Sequence, residues 1–388
     1  MSSSDLYRSR QIYLEYARTR DGRVQPLLCR DECHTDPVIA TWVPDLHSGR
    51  ILGSLLGGAV GDGFGFAVEF MRLPEILERY GPEGLQSPVY RDDRLLVTDD
   101  TQMTMFTAEG LLRAESRFWD RGVASMEAVG WNALQRWLKT QGEEADSRFD
   151  DGWLVEDGSL WNRRAPGRTC IEALHDDMPA DFRANNNSKG CGGVMRVAPV
   201  GLMEAAWSDE RVFELGVNLA SLTHGHPTGY LAAGAMAVII RKLLDGAGME
   251  PAARLAIELA RPLQRSEETV ASLEQALQLG AESAPDHSLN LKMLGEGWVA
   301  EEALAVGLYA AMQGDGFPDV LRIAANHDGD SDSTASIAGQ IYGAAHGCDD
   351  LPRSWIHRLD VHDPLLILAH DLWAVGRGRK TIESYPPN

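Results

Sequence analysis

Two short acidic stretches, far apart in the chain, each precede a segment with the apolar pattern of a helix. Residues 97–103 are Val-Thr-Asp-Asp-Thr-Gln-Met, and residues 327–334 are His-Asp-Gly-Asp-Ser-Asp-Ser-Thr. Backbone N–H groups and the helix dipole favour negative charge at a helix N-terminus, so each stretch predicts the start of a helix. Capping alone would explain one Asp, Ser or Thr at each start, yet each stretch holds several.

Packed carboxylates repel one another unless a cation lies among them. Carboxylates and hydroxyls together form an all-oxygen ligand set, which favours a hard divalent ion, Mg²⁺, Mn²⁺ or Ca²⁺, over zinc. The two stretches therefore suggest a metal site, with plain helix capping as the alternative.

The composition is that of a soluble globular protein. The 388 residues are 44% apolar and 24% charged, which is enough for a sizeable core. A formal charge of −21 argues against nucleic acid as a partner. The best candidate for a membrane span, residues 231–240, is too short and is followed by Arg241 and Lys242, so no membrane contact is expected.

The cysteines and the N-terminus suggest the compartment. Five cysteines without the spacing of a disulfide framework fit a reducing environment. Cys29, Cys33 and His34 could belong to a zinc site, but a fourth ligand is missing. The first residues, Met-Ser-Ser-Ser-Asp, form no apolar signal region, so we expect a cytoplasmic protein.

Residues 1–47 differ from the rest and are predicted to form an N-terminal arm. A helical pattern covers residues 6–19, and a segment without periodicity follows, with Pro26, Pro37 and Pro44. The first 25 residues hold five arginines against three acidic residues, a charge opposite to that of the remainder. The arm could fold back on the acidic body or reach a partner.

Residues 48–380 are predicted to form one all-α domain. An apolar helix over residues 51–62 has a glycine at every fourth position, which favours close approach of a second helix over a membrane dimer motif. Alternating patterns typical of strands are scarce, and residues 87–97 form the best of them. Further helical patterns cover residues 123–139, 210–222, 228–245, 251–263, 267–281, 300–313, 317–326, 334–346 and 364–374.

Three more polar stretches suggest chemistry. Residues 61–70 combine glycines with Asp62 and with Glu69, whose apolar surroundings should raise its pKa or demand a partner. Residues 185–196 form a glycine-rich loop whose amides could bind phosphate, although it does not match the P-loop motif. His224 follows Thr223 between two predicted helices, where packing or capping is the commoner role of a histidine.

Together these stretches resemble the ADP-ribosylglycohydrolases, also called ADP-ribosyl-acceptor hydrolases. The resemblance lies in residues 61–71, 98–101, 190–199, 223–224 and 329–333, in the family's order. It implies an all-α orthogonal helical bundle with two Mg²⁺ ions, or Mn²⁺, at the floor of a cleft.

The family pattern also implies roles for individual residues. Glu69 and Asp100 would be catalytic, and Asp62 and His224 would contact the substrate. The glycine-rich loop would cradle the diphosphate and distal ribose through Ser188, Lys189, Gly190, Cys191, Gly192 and Gly193. The metal ligands would be Thr98, Asp99, Asp100, Asp330, Asp332 and Ser333.

The chain departs from the family pattern at a few positions. Ser333 replaces the usual threonine and keeps the coordinating hydroxyl, and Cys191 stands where many relatives carry asparagine. Lys189 offers a cation to the diphosphate. All acidic metal positions are present, so we expect an active enzyme.

The resemblance implies hydrolysis of the bond between ADP-ribose and a protein side chain, with arginine as the expected acceptor. The ions would orient the ribose and acidify a water, and carboxylates would stabilise an oxocarbenium-like transition state. The sequence leaves open whether Asp100 or Glu69 moves the proton. The alternatives are a non-catalytic binding or inhibitor protein that acts through its arm, and a hydrolase of another ADP-ribosyl linkage or metabolite.

The arm suggests a partner besides the ADP-ribosylated protein substrate. Toxins that ADP-ribosylate arginine have acidic clefts, which an arginine-bearing arm could plug. The arrangement resembles immunity proteins paired with bacterial ADP-ribosyltransferase toxins. We therefore hypothesise a protein that blocks such a toxin and also reverses its product.

Overall fold

The computed structural model describes residues 44–203, 207–284, 286–378 and 384–387. Most of the predicted arm, residues 1–43, therefore lies outside the described residues. The described part contains helices and isolated bridges but no strand, so the prediction of an all-α fold is confirmed. The helices are α1 (Leu46–Gly65), α2 (Leu73–Tyr80), α3 (Asp99–Arg121), α4 (Met126–Thr140), α5 (Trp153–Glu156), α6 (Arg168–His175), α7 (Ala198–Leu202), α8 (Asp209–Ser221), α9 (Pro227–Leu244), α10 (Met249–Ala260), α11 (Glu267–Gly280), α12 (Ser288–Leu294), α13 (Ala300–Gln313), α14 (Phe317–Ala325), α15 (Ser331–His346), α16 (Arg353–Ile356) and α17 (His362–Gly376).

Helices α1 and α15 pack backbone to backbone. A Cβ atom added at Gly53 would lie 2.6 Å from the carbonyl oxygen of Gly343, and one at Gly61 would overlap the carbonyl oxygen of Ala335. The residue numbers fall along one helix as they rise along the other, so the pair is antiparallel. Only residues without a side chain allow backbones to come this close. The glycine spacing of α1 therefore marks close helix approach, as the sequence predicted.

This antiparallel contact places two functional segments side by side. Helix α1 ends at Gly65, just before the turn that carries Glu69, and α15 begins at Ser331, directly after Asp330. At that end of the pair, a Cβ on Gly65 would overlap the carbonyl oxygen of Ser331. The packing of two apolar helices thus brings Glu69 to the second acidic stretch.

Helix α9 is buried along almost all of its length and packs against α7, α8, α10 and α13. Its N-terminus at Pro227 follows the Thr223–His224 segment, so the histidine lies between α8 and α9 as predicted. None of the described helices is both long enough and apolar enough to cross a membrane.

The strand-like run at residues 87–97 forms isolated bridges only. Leu95 pairs with Leu359, with the Leu95 amide donating to the Arg358 carbonyl at 2.7 Å and the Asp360 amide donating to the Leu95 carbonyl at 3.1 Å. Arg164 also binds this segment, since one of its nitrogens donates to the carbonyl of Val97 at 2.8 Å. These contacts fix the chain directly before the first acidic stretch.

Candidate active site

The two acidic stretches meet at the N-termini of α3 and α15. Thr98 is the N-cap of α3, and its hydroxyl donates to Oδ2 of Asp332 at 3.2 Å. In the other direction, the hydroxyl of Ser333 donates to Oδ2 of Asp100 at 3.4 Å. The fold therefore brings together predicted metal ligands from both stretches.

Glu69 lies beside the second stretch. Carboxylate oxygens of Glu69, Asp330 and Asp332 all lie within 4.8 Å of one another. Oε2 of Glu69 and Oδ1 of Asp100 are buried and have no hydrogen-bond partner among the described residues. Buried polar atoms without partners are unfavourable, so these oxygens suit a bound cation. The buried side chains of Glu69, Asp99, Asp100, Asp330 and Asp332 together form the acidic cluster.

Burial raises the pKa of the carboxyl groups throughout the acidic cluster. Burial and the nearby charges of Asp332 and Asp330 raise the pKa of Glu69 to about 10. Burial, together with Asp332, also raises the pKa of Asp100 and of Asp330 well above the usual range. Carboxylates in this position need protons or a cation to offset their repulsion. The donor set of carboxylates and hydroxyls fits a hard divalent ion.

Asp62 lies fully buried beneath the N-terminus of α3. Its Oδ1 accepts from the amide of Thr98 at 2.9 Å, and its Oδ2 accepts from the amide of Thr101 at 3.0 Å and from that residue's hydroxyl at 2.5 Å. Burial and the charge of Asp332 raise the pKa of Asp62 to about 7. In this structure Asp62 positions the first acidic stretch, and its contact with substrate stays a prediction.

Asp99 is held from the other side, by a residue that the sequence did not single out. Its Oδ2 accepts from the amide of Gly167 at 3.0 Å, in the segment before α6. Burial raises the pKa of Asp99 well above its ordinary value. The Ala165-Pro166-Gly167 run indicates a turn. The sequence of this turn does not indicate that it contacts the side chain of Asp99.

The glycine-rich loop joins the acidic cluster through Cys191, whose thiol donates to Oδ2 of Asp330 at 2.9 Å. The amide of Cys191 donates to the carbonyl of Trp298 at 3.3 Å, and the amide of Ala300 donates to the carbonyl of Lys189 at 2.8 Å. The loop is therefore attached by its main chain to the segment between α12 and α13.

Lys189 and Ser188 have other partners in this structure. The ammonium of Lys189 lies 2.9 Å from a carboxylate oxygen of Glu268 and 2.7 Å from one of Glu301. The hydroxyl of Ser188 is 3.1 Å from that of Thr169. The predicted contact between Lys189 and a diphosphate stays a prediction, and it would require Lys189 to leave at least part of this ion pair.

His224 lies beneath the glycine-rich loop and is 1% exposed. A Cβ atom on Gly192 would be 3.0 Å from Cε1 of the ring, so the loop and the imidazole pack directly. Burial and the charge of Arg196 lower the pKa of His224 to about 3, so the ring is neutral at physiological pH. Its contact with substrate stays a prediction.

Arg196 is a positioning residue to which the sequence assigned no role. Its buried guanidinium donates to the carbonyls of Gly192 at 2.5 Å and Leu219 at 3.0 Å, and to the hydroxyl of Thr223 at 2.9 Å. These bonds tie the glycine-rich loop to the end of α8. A lone arginine in the apolar run 194–200 is the signal that could have found it.

The segment after Glu69 packs on the residues between α12 and α13. The rings of Phe70 and Trp298 stack with centroids 6.1 Å apart. The guanidinium of Arg72 lies 2.7 Å from a carboxylate oxygen of Glu296. These pairs could not be predicted from the sequence, because their members are exposed and far apart in the chain.

The chain is similar to known proteins over most of its length. A family model described as ADP-ribosylglycohydrolase matches residues 44–381. The ADP-ribosyl-dinitrogen reductase glycohydrolase of Rhodospirillum rubrum is 26% identical over 327 residues, which cover 82% of this chain and 92% of the relative. ADP-ribosylarginine hydrolase Tri1 of Pseudomonas putida strain GB-1 is 25% identical over 346 residues, which cover 86% of this chain and 80% of the relative.

A solved structure, described as an ADP-ribosylglycohydrolase-related protein complex, shares the fold. Its TM-score is 0.57 at 25% identity, and the match covers 85% of this chain and 99% of that chain. The family match covers residues 44–381, a range that includes Glu69 and both acidic stretches. The chain therefore belongs to the ADP-ribosylglycohydrolase family of enzymes.

Proposed function

We propose that the chain hydrolyses the N-glycosidic bond between ADP-ribose and an arginine side chain, with two Mg²⁺ ions, or Mn²⁺, bound in the acidic cluster. The observation that carries this proposal is the meeting of Glu69, Asp330 and Asp332, with oxygens within 4.8 Å, beside a glycine-rich loop. The relatives named for ADP-ribosyl hydrolysis, one of them an arginine hydrolase, support this linkage.

The ions would be held by oxygen ligands at the N-termini of α3 and α15. The unpartnered Oδ1 of Asp100 supports this placement. Bound divalent ions orient ribose hydroxyls and lower the pKa of a water. The proposed ligands are Thr98, Asp99, Asp100, Asp330, Asp332 and Ser333.

The protein holds these ligands in place before substrate arrives. Asp62 holds the start of α3 through the amides of Thr98 and Thr101, and the Gly167 amide orients Asp99. Preorganised charge of this kind stabilises a transition state without rearrangement during the reaction. Carboxylates in the acidic cluster would stabilise the positive charge of an oxocarbenium-like ribose.

In the proposed reaction, water adds to C1″ of the distal ribose and the bond from C1″ to the guanidino nitrogen breaks. The water loses one proton and the leaving nitrogen gains one, so the products are ADP-ribose and unmodified arginine. Glu69 and Asp100 are the candidates for these proton transfers, since each has a buried oxygen without a donor.

The glycine-rich loop is proposed to bind the diphosphate through backbone amides. Glycine residues have no side chain to keep a phosphate from the backbone amides. In this structure the amide of Gly190 donates to the hydroxyl of Ser188 at 3.3 Å, so it would have to exchange this partner for a phosphate oxygen. The neutral ring of His224 and the guanidinium of Arg196 support the loop from below. Neither support adds a negative charge that would repel phosphate.

Release of free ADP-ribose tests this proposal directly. The full chain is incubated with Mg²⁺ and arginine-ADP-ribosylated protein, with serine-linked protein and a ribosylated small metabolite as parallel substrates. We expect release from the arginine substrate, loss of release in EDTA, and recovery with Mg²⁺ or Mn²⁺. Full activity after thorough chelation would contradict the metal requirement, and release from the serine or metabolite substrate alone would reassign the linkage.

We also propose that the arginine-rich residues 1–25 bind a cognate ADP-ribosyltransferase toxin. The proposal is supported by their charge, five arginines against three acidic residues, on a chain of net charge −21. Deleting residues 1–25 should abolish binding to the transferase and leave ADP-ribose release intact. A truncated chain that melts earlier and binds as before would instead assign the segment to stabilising the body.

A further inference from the structure

A cavity of about 130 Å³ lies beside the segment that follows Glu69. Its wall is formed by Leu73 at the start of α2, by residues of α12 and by the residues that precede α15. None of the described residues that line it belongs to the acidic cluster. A cavity of this size holds a ligand of a few non-hydrogen atoms. It is therefore a place in the fold distinct from the candidate metal centre.

His327 brings an unpartnered acceptor to this wall. The hydroxyl of Thr334 lies 2.8 Å from the carbonyl of Ala324 and 2.7 Å from that of Asp330, so its hydrogen is used there. Its oxygen then accepts from Nε2 of His327, which is 3.0 Å away. Nδ1 of His327 is left as an acceptor, and it is buried without a hydrogen-bond partner among the described residues. Such an atom favours a ligand that supplies a donor.

Two carboxylates, those of Glu296 and Asp328, line the same cavity. Lys292 lines it as well, but this lysine is exposed, so its charge can stay in solvent. Together with Nδ1 of His327, the carboxylates make the wall rich in acceptors. The complementary ligand is a cation with several N–H donors.

Glu296 already binds a guanidinium, that of Arg72, at 2.7 Å. The hydrogen bond and the charge of Glu296, together with the charge of Asp328, raise the pKa of Arg72, so both carboxylates act on this one guanidinium. The side chains of Arg72 and Glu296 are 63% and 48% exposed. Because exposed ion pairs contribute little free energy, another guanidinium can compete with Arg72.

The carboxylates of this wall also fasten the turn that carries Glu69. Glu296 holds Arg72, and Asp328 accepts from the amide of Leu73 at 2.7 Å. A ligand that draws on these carboxylates therefore weakens the contacts that hold the turn.

We infer that this cavity binds a small guanidino compound, which competes with Arg72 for Glu296 and so loosens the turn that carries Glu69. A guanidinium offers five N–H donors in a planar fork that matches carboxylates, whereas a primary ammonium offers three without that geometry. Binding makes and breaks no covalent bond. The effect on turnover rests on the proposed hydrolysis, and the binding itself does not.

Calorimetry with methylguanidinium chloride tests the binding on the full chain loaded with Mg²⁺, with saturating ADP-ribose present to occupy the active site. We expect about one ion per chain and a dissociation constant on the order of 1 mM, which suits a ligand of so few atoms. Methylammonium should bind about tenfold more weakly, because it lacks the bidentate fork. Binding that ADP-ribose abolishes, or equal binding of the two cations, would overturn the inference.

Variants of the wall locate the bound ion. Glu296→Gln and Asp328→Asn should each weaken binding by about tenfold, and the new amide of Asp328→Asn still offers an oxygen to the Leu73 amide. Arg72→Ala removes the internal competitor and should tighten binding roughly two- to fivefold. Glu78→Gln, an exposed position on α2, is the matched control and should bind as the wild type does. Unchanged binding in both Glu296→Gln and Asp328→Asn would place the ion elsewhere and sink the proposal.

Turnover shows whether the bound ion loosens the turn. Saturating methylguanidinium should lower kcat for ADP-ribose release by about three- to tenfold and change KM by less than about twofold, because it acts on the position of Glu69 and not on substrate binding. Arg72→Ala should lower kcat to a similar extent and respond no further to the ion. A raised KM at constant kcat would mean competition at the substrate site and would contradict the inference, as would an unchanged kcat.

The failure of this inference is distinguishable from the failure of the proposed function. Release of ADP-ribose by a chain that does not bind methylguanidinium overturns the cavity site alone. Binding that depends on Glu296 and Asp328, in a chain that hydrolyses none of the ADP-ribosyl substrates, supports the cavity site and overturns the proposed hydrolysis.

Discussion

The rings of Phe70 and Trp298 stack with their planes 19° apart, one residue beyond Glu69. Phe70 is 75% exposed, so its ring contributes little to the core. Two further contacts hold the same segment, the ion pair between Arg72 and Glu296 and a 2.7 Å hydrogen bond from the Leu73 amide to Asp328. The turn that carries Glu69 is therefore fastened to the segment between α12 and α13 and, through Asp328, to the second acidic stretch.

Phe70→Ala should slow ADP-ribose release by about tenfold, since small misplacements of a catalytic group have effects of this size or larger. The free energy of unfolding should change by less than about 1 kcal/mol, because little of the ring is buried. Kinetic assays and chemical denaturation measure the two effects. Phe118→Ala, which truncates another exposed phenylalanine, on α3, should change neither.

A double-mutant cycle shows whether Phe70 acts through Glu69. In a Glu69→Gln background, Phe70→Ala should add no further loss of turnover, because the carboxyl that it positions is gone. If Phe70→Ala lowers the rate equally in both backgrounds, the ring contacts substrate directly.

Asp330→Asn should abolish ADP-ribose release and raise the melting temperature of the metal-free protein. Asp330 lies within 4.8 Å of the carboxylate oxygens of Glu69 and Asp332, so removing its charge relieves repulsion. Relief of about 1 kcal/mol corresponds to a shift of roughly 2–4 °C or less in a domain of this size. Thermal melts in EDTA measure the shift.

The exposed Asp177→Asn is the matched control and should change neither the activity nor the melting temperature. A metal-free Asp330→Asn protein that melts below the wild type would contradict the repulsion argument.

In EDTA the protein should lose stability as the pH rises from about 6.5 to 9. The folded-state pKa of Glu69 is raised to about 10 and that of Asp62 to about 7. A raised carboxyl pKa means that the folded state keeps a proton that the unfolded chain has already released, so stability falls towards the folded pKa. The pKa of His224 is lowered from 6.5 to about 3, so this histidine makes stability increase with pH. Its effect is confined to pH values below 6.5 and does not oppose the loss of stability at higher pH.

Melting curves across this pH range show whether stability falls as the pH rises and which carboxyl group causes the change. Glu69→Gln should flatten the slope, because the amide does not titrate, and saturating Mg²⁺ should flatten it in the wild type. Equal slopes in wild type and Glu69→Gln, both without metal, would assign the dependence to other groups.

The long helices could be predicted from the sequence because their apolar patterns extend over several turns. The nine patterns from residues 123–139 to 364–374 differ from the observed helices by about three residues at most at either end. Helices α5 and α16, of four residues each, were not predicted, and neither were α2, α6 and α12. Helices α2, α6 and α12 have 8, 8 and 7 residues, so all five are too short for a periodic pattern to stand out.

The acidic ligands could be named from the sequence, but the contacts that hold them could not. Asp62 contacts Thr98, Asp99 contacts Gly167, and Arg196 contacts Leu219, each across a long stretch of chain. Such pairings depend on how the helices pack, and a single sequence carries no record of them. Lys189 is an example. Its position in the loop suggested a cation available to the diphosphate, whereas the structure pairs it with acidic residues of α11 and α13.

The glycine pattern of α1 is the case in which local sequence did predict a long-range contact. A glycine at every fourth position places bare backbone on one face of a helix, and α15 supplies Gly339 and Gly343 opposite Gly57 and Gly53. A spacing of four brings these glycines onto one side because a helix has about 3.6 residues per turn.

Gly57→Ala should destabilise the protein by about 2 kcal/mol or more, in the range of overpacked cores. The new methyl group would overlap the carbonyl oxygen of Gly339, which is backbone and cannot rotate away. Gly49→Ala, in the same helix, is the matched control, since its nearest atoms would be 3.9 Å and 4.0 Å away. It should be neutral or stabilise by up to about 1 kcal/mol, the helix propensity gained over glycine. Denaturant unfolding measures both, and equal effects at the two positions would mean that α1 and α15 do not pack backbone to backbone.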